Sequence, residues 1–539
     1  MSTRKQQGIP TRQARPISRD VVMNPNKGLN NLGSPNLIDN REWADLLNIE
    51  FDEGGVARKR MGFEQFATDL TNARGLGSFV TESLNQVTTV DNGTFKYSTG
   101  TSWTADATVS FTVDKPVWFT QARSAQYIFD ETLGGARWTG SVLSRPGTLP
   151  KAKFSIFTQS YHIASGVDGQ QNRIYISELA DASKFTRTTG SLNDATEVPG
   201  ATVFSGTTAN FIDIQPGDGD RITGLGTFQN VIIIFKQFSI YQMTFDDTGD
   251  PVVTPVTNAA GCISARSVVN VENDLYFLSR EGIRVLGNEP NFFSSIRTNI
   301  LSKRIEPTTR NINETYFTKS NAIYFDNQYI MSAPTSSATI DTTLVYNKEF
   351  QAWSKWQGTE ADAYTKFVNS DNEQRLLFLA EDGTRVNQFT PGTYTDDGVP
   401  IRSYLLSKVF DFKNPDITKY FVDLGLMFRT ISGLVDLEVY TEGNVLFGGS
   451  VGIAGNPVTD GMGISMLGLT MLGLGGGTST TQEAFADVVR RVVINTNSTT
   501  IRFRIENARN NENFVLLGYI HAFYPYGHYL FDSTKKIYL

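Results

Sequence analysis

The chain has 539 residues, 48 basic and 55 acidic side chains for a formal net charge of −7, and a single cysteine. That length implies two or more domains with ample interior. The charge argues against a broad basic face that coats nucleic acid. One thiol, Cys262, excludes an internal disulfide framework or a multi-thiolate metal site and reads as a small buried apolar residue.

Residues 1–33 carry Arg4, Lys5, Arg12, Arg15 and Arg19 among prolines, glutamines and asparagines, with no apolar periodicity. This predicts an extended N-terminal arm, either free or ordered on a neighbouring subunit with its cations paired to carboxylates. Nothing in the first 20 residues resembles a signal peptide, and no apolar run reaches the ~18–20 residues that span a bilayer. The expectation is a protein made and folded in a cytoplasm.

In the next stretch, Glu42–Leu47 has the spacing of one or two helical turns, and Asn48–Phe51, Asp52–Gly55 and Val56–Arg60 read as strand, turn and strand. Arg58, Lys59 and Arg60 face Glu50, Asp52 and Glu53 across that hairpin, as cross-strand pairs or, alternatively, as a phosphate site. Residues 64–270 alternate weakly. Trp103, Trp118 and Trp138 are spaced as one anchor per unit, and Val231–Phe235 is an apolar run suited to a buried strand. The loop Gln215–Asp220 places Asp218 and Asp220 near each other, but supplies too few ligands to hold calcium alone and reads as a solvated turn.

The strongest pattern lies in Asp274–Asp411. Three successive units there read strand, tight turn, strand: Asn273–Leu286; Asn321–Ser332 continued by Thr343–Trp356; and Arg375–Phe389. Aromatic and β-branched residues fill the runs, and Glu-Gly, Asp-Asn or Asp-Gly marks each reversal. Similar turns recur upstream at Asp91–Tyr97, Gln126–Trp138, Asp168–Ile176 and Phe228–Tyr241. Four-stranded units repeating every ~40–50 residues are the pattern of a β-propeller. A β-sandwich of similar length also alternates and turns. Between units, Asn291–Ile305 sets Ile296, Ile300, Leu301 and Ile305 on one helical face ahead of Pro307, which predicts a short helix.

After Asp411 the strands Ile417–Arg429, Leu434–Tyr440, Val489–Asn495, Thr499–Ile505 and Phe514–Tyr524 suit a β-sandwich. Within it, Gly461–Gly477 is apolar, uncharged and twice contains Met-Leu-Gly-Leu. Its Met466, Leu467, Leu469, Met471, Leu472 and Leu474 predict a loop packed on a subunit or partner, since the run is too glycine-rich for a membrane helix. The reading is therefore all-β: an extended arm over residues 1–33, a somewhat irregular β-propeller of about five to seven blades over 34–405, and a C-terminal β-sandwich or platform over 406–539.

Catalytic signals are missing. The histidines His162, His521 and His528 have no accompanying thiolate or carboxylate cluster, and no nucleophile elbow, phosphate loop or zinc-protease helix occurs. Propellers do host glycosidases with paired carboxylates, which brings in Glu281, Glu381 and Asp382; all three fall at hairpin turns, which favour acids anyway. The expectation is a protein that is not an enzyme, with no cofactor and no metal.

Four segments together resemble one family. The string from Asn36 through Asn48 to Gly54–Phe63 resembles the N-terminal signature of tail nozzle proteins of short-tailed bacteriophages. Asp274–Ile283, Tyr346–Trp356 and the paired runs Asp396–Ile401 and Lys408–Phe412 are similar to further family segments, in the same order over roughly residues 34–430. The resemblance implies a β-propeller with an added platform, assembled as a hexameric ring below a portal–adaptor and holding tail fibres or tip proteins. Double-stranded DNA would pass its lumen without sequence-specific binding. The implied location is the virion tail, after assembly in the host cytoplasm. Two other readings stand beside it: a carbohydrate-recognising propeller using Trp353 and Trp356, and a tail-associated hydrolase.

Overall fold

The computed structural model describes residues 17–525, except 53, 68–69, 101, 186–202, 206–207, 247–250, 290–291, 370, 430–433, 443 and 453–486. Seven sheets of four or more strands, almost wholly antiparallel, follow one another along the described chain. Blade 1 spans 73–110, blade 2 118–144, blade 3 154–213, blade 4 222–257, blade 5 269–300, blade 6 321–356 and blade 7 361–389. The first strand of each blade touches the first strand of the next, and that of blade 7 touches that of blade 1, so the ring closes. The chain is an all-β protein built on a seven-bladed β-propeller. Blade 7 takes its fourth strand, Phe63–Ala67, from the N-terminal side of blade 1; it pairs with Val386–Phe389 and ties the two ends of the ring together.

Turn chemistry sets the hairpins. Asn92-Gly93 and Asp326-Asn327 each put two successive residues at positive φ, the geometry of a type I′ turn, which Gly, Asn and Asp tolerate. Second and third strands are buried most fully: Val231–Lys236 has all but its first residue buried, and Asp274–Ser279 likewise. Clusters between blades follow from this, such as Phe228, Ile233, Phe235, Leu275, Phe277 and Leu286 between blades 4 and 5.

The second domain is a sandwich of two sheets drawn from both ends of the chain. One sheet runs Ile49–Phe51, Ala57–Lys59, Val515–Tyr524, Lys419–Arg429, Asp487–Ser498, with Ser18–Met23 also paired to Val515–Tyr524. The other runs Trp43–Leu47, Ser403–Ser407, Arg502–Asn507, Leu434–Thr441, Asn444–Gly452. Register aligns Leu46, Leu405, Ile505 and Leu437 in one row across that sheet. They pack with Leu424, Leu426, Phe428, Leu516 and Tyr519 of the facing sheet.

Several expectations change. Residues 18–59 belong to the sandwich sheets, so the propeller starts at Phe63 and not at residue 34. The arm is a paired strand from Ser18, and Val22 and Leu29 are buried; only residues 1–16 of it lie outside the described residues. Trp43–Leu47 is a strand and not a helix, because pairing with Ser403–Ser407 buries Trp43, Leu46 and Leu47 more fully than a lone turn would. Phe292–Ile300 is the outer strand of blade 5; helical turns begin only at Lys303, and Pro307 sits inside the short helix Glu306–Thr309 near its start, where proline is tolerated.

Candidate assembly interface

Arg74, Trp118, Phe154, Ile222 and Asp362 stand at the starts of the first strands of blades 1, 2, 3, 4 and 7 and face one space. A cavity of about 530 Å³ opens there, lined by Arg74, Asp114, Trp118, Lys153, Arg221 and Arg266 among others. At its floor, Arg266 enters from the turn before blade 5. Its Nη1 donates to the Asp362 carbonyl of blade 7 at 3.1 Å, and its Nη2 to the Val117 carbonyl at the entry to blade 2 at 2.8 Å. One guanidinium thus ties blades 7 and 2, which flank blade 1, to the turn before blade 5. Gly75 narrows the same point: its φ is +77°, and a Cβ there would lie 2.3 Å from the Val117 oxygen. The charges around the mouth are largely spent on each other, as in Arg74–Asp114 at 2.7 Å and Lys153–Glu131 at 3.3 Å.

The propeller and the sandwich share one core cluster, which includes Tyr276, Leu278, Tyr329, Tyr346 and Trp353 from blades 5 and 6 and Trp43, Leu46 and Phe410 from the sandwich. Asn48 and Arg60 hold the seam. Asn48 adopts φ 53°, a left-handed conformation that asparagine tolerates. Its Oδ1 accepts from Arg60 Nε and from the Gln357 N–H, both at 2.9 Å, and its Nδ2 donates to the Arg402 carbonyl at 2.7 Å. Arg60 is fully buried. Its other donors reach the Met61 and Gln357 carbonyls at 3.0 and 2.8 Å and both oxygens of Asp396 at 2.8 and 2.5 Å. All five guanidinium N–H groups are therefore used. Burial still holds the Asp396 carboxyl above its ordinary range, against the pull of Arg60.

The basic trio thus divides its work. Arg58 pairs across the hairpin with Glu50 at 2.7 Å, as the pattern predicts. Lys59 turns inward and donates to Asn507 Oδ1 at 2.9 Å, and burial pulls its ammonium down to about 8. Arg60 crosses to Asp396, 336 residues away.

Among the described residues, the outer face of the first sandwich sheet exposes apolar side chains beside Arg491, Asp423 and Arg19. Register places Val489, Met427, Gly518 and Met23 in one row, Arg491, Gly425, Ile520 and Val21 in the next, and Val493, Asp423, Ala522 and Arg19 in a third. Val493 is 60% exposed, Val21 52%, Met23 51% and Val489 41%. Glycines at 425 and 518 let neighbouring side chains lean over the backbone; a Cβ on Gly518 would meet Met427 Cε at 2.8 Å and Met23 Sδ at 3.1 Å. Among the described strands, Asp487–Ser498 pairs only with Lys419–Arg429 and Ser18–Met23 only with Val515–Tyr524, so both margins of this face are open edges.

Of the residues expected to bind subunits, Arg19 lies on this face, exposed, opposite Ala522. Arg4, Lys5, Arg12 and Arg15, and Met466, Leu467, Leu469, Met471, Leu472 and Leu474, lie outside the described residues. The valines of the face escaped sequence reading because Val-Val-Arg-Arg-Val-Val blurs the period of two; the signal was the single exposed register Val489, Arg491, Val493.

Residues weighed for chemistry have structural surroundings. Trp353 and Trp356 are buried, their indole N–H groups bonded to the Leu301 and Ile49 carbonyls, so neither ring is free to stack on a sugar. Glu281 pairs with Arg284, and Asp382 caps Thr384. Asp218 neutralises buried Lys236 at 2.6 Å, and Asp220 receives the 237 and 238 N–H groups, so the loop is pinned by its acids. Cys262 is buried and its thiol is pushed up to about 12 by burial. His162 is buried beside Tyr127, Phe129 and Phe185 and held down to about 4; His521 is boxed by Phe410, Phe412, Phe503 and Tyr519 and held down to about 3. Burial is the cause in both. His528 lies outside the described residues. Among the described residues no three acids or histidines are grouped to hold a metal ion, and no helix is long and apolar enough to cross a membrane.

No protein-family model matches the chain, and no curated protein matches it. Solved structures similar to it include YCF48 bound to a D1 peptide, at 10% identity over 61% of this chain and 95% of that one, with a TM-score of 0.37. Virginiamycin B lyase from Staphylococcus aureus follows at 11% identity over 61% and 98%, TM-score 0.39. The extracellular domain of a one-component system from B. thetaiotaomicron reaches 9% over 69% and 45%, TM-score 0.39. At such identities no activity or ligand passes from those proteins to this chain.

Proposed function

We propose that this chain is a structural subunit of a short-tailed bacteriophage tail, forming a ring of six copies that extends the genome channel below a portal–adaptor and supports fibres or tip proteins. One observation carries the reading. The four segments that resemble tail nozzle proteins, far apart in sequence, meet at one seam. The first supplies Asn48 and Arg60, the second Tyr276 and Leu278, the third Tyr346 and Trp353, and the fourth Asp396 and Phe410. A resemblance concentrated on the joint between propeller and platform concerns how the two are mounted, which suits a part whose work is mechanical.

The exposed valines and Met23 of this sheet face offer a neighbouring copy its contact, since exposed apolar surface marks association. A stable ring needs interfaces on the order of 2,000 Å² each, and head-to-tail contacts close when the rotation permits. The test is electron microscopy and light scattering of the purified full chain. Closed rings of a single order, near six copies, are the expected result; a monomer at every concentration that turns over a substrate would overturn the proposal.

A further inference from the structure

A cleft of about 610 Å³ lies beside blade 7 and the hairpin 395–400, lined by Asp341, Glu360, Glu381, Asp382, Asp396 and Asp397. Arg60 answers Asp396 and Arg385 answers Asp397, the latter at 3.2 Å. Glu360 accepts from backbone N–H groups, that of Gly358 at 3.0 Å, and neither it nor Glu381 has a cation within ion-pair distance among the described residues. Six carboxylates against two guanidiniums leave four negative charges. Burial raises the Glu360 carboxyl above its usual range, and the pull of Arg60, which is not within ion-pair distance of it, does not offset that. Independently, Asn387 lines the same cleft at 3% exposure, and its Oδ1 receives no hydrogen bond. A buried acceptor left without a donor is unfavourable, so the site is short of N–H groups as well as of positive charge. The acids are not grouped for a metal ion. The shape calls for spread-out cations on an extended chain.

We infer that this cleft receives the basic segment 1–16 of a second copy of this chain, its arginines pairing with Glu360, Glu381 and their neighbours. Residues 1–16 carry +4 and the rest of the chain −11, together the net −7, and the segment holds no acid. Its four positive charges match the four unanswered ones. Extended, it spans at most roughly 55 Å from its anchor at Ser18, enough to leave its own sandwich for a neighbour. Arginine forks on carboxylates give bidentate, charge-assisted bonds, the strongest of the surface kind. The inference rests on the ring reading for its second copy, though not for the cleft itself.

The test uses a fluorescent peptide of residues 1–16 titrated with the full chain at low salt. Saturable binding is expected, weakened at least tenfold by Glu360→Gln with Asp397→Asn, unchanged by Glu314→Gln at an exposed position that does not line the cleft, and absent for a peptide with its four cations changed to glutamine. Asn387→Leu should weaken the peptide without lowering Tm, an outcome a purely structural role does not give. Affinity unmoved by the cleft variants, or lowered equally by Glu314→Gln, overturns the site. A photo-crosslinker at position 12 in mixed tagged and untagged full chains should join two copies within residues 357–399; links confined to one copy overturn the second-copy assignment. Rings without peptide binding would sink this inference and leave the ring reading standing. Peptide binding by a permanent monomer would leave the cleft as a site for this segment and overturn both the ring reading and the second-copy assignment.

Discussion

Removing the Arg60 side chain tests the seam most directly. In Arg60→Ala, five hydrogen bonds disappear, and Asp396, Asn48 Oδ1 and the Met61 and Gln357 carbonyls lose their shared donor. Breaking a buried ion pair by deleting one partner costs about 3–5 kcal/mol, because the survivor is left charged and desolvated. Asp396 retains some exposure, 15% of its side chain, which places the expected loss toward 3 kcal/mol. If the sandwich melts as a unit of 150–250 residues, Tm should fall by roughly 6–12 °C. Two controls sharpen the assay. Arg60→Met with Asp396→Leu should recover most of the loss, since no charge is then stranded. The deficit of Arg60→Ala should also narrow as pH falls from 7.5 toward 5, because Asp396, already above its ordinary range and freed of Arg60, takes up a proton and needs no partner. Thermal melts and urea titrations of the three proteins at both pH values measure this. A loss below about 1 kcal/mol for Arg60→Ala, or a deficit that widens in acid, would refute the argument.

Other expectations follow from the same geometry. His162 and His521 are neutral in the folded chain with values held down to about 4 and about 3, whereas unfolded histidine titrates near 6.5. Their contribution is complete above about 6.5 and is lost as pH falls toward those values, roughly 3 kcal/mol each by pH 4; His521→Phe should flatten its share of the acid limb in pH-dependent melts. Gly75→Ala should cost at least about 2 kcal/mol, from its left-handed φ and the 2.3 Å approach to the Val117 oxygen, read as a lower Tm. Val21→Asp with Val493→Asp should leave Tm within about 1 kcal/mol equivalent yet abolish rings in light scattering, because both side chains are exposed in one copy. Deleting residues 1–16 should spare the fold, whereas deleting 1–33 should unfold the sandwich, since Ser18–Met23 and Leu29 are built into it.

Local chemistry was legible and distant pairing was not. Asp-Asn at 326–327 and Asn-Gly at 92–93 announced their hairpins because positive φ restricts the residue choice. The five C-terminal strands were legible within a few residues, from alternation alone. Glu42–Leu47 misled because its helical spacing competes with a partner about 360 residues away, which no local pattern reveals. The domain boundary moved for the same reason: residues 18–59 read as an arm and a hairpin until the strands at 403–407 and 515–524 supply their partners. Arg266 gave no signal, being one arginine in a turn whose importance lies in which walls it reaches.

That arginine has a consequence for traffic. A strand of nucleic acid threading the disc would have to displace a guanidinium that staples blades 5, 7 and 2 together. If copies of this chain form a ring around a channel, as proposed above, that channel would run alongside the discs, in a bore walled by their flanks. The width of that bore would depend on how many copies stand around it and not on the size of any one propeller.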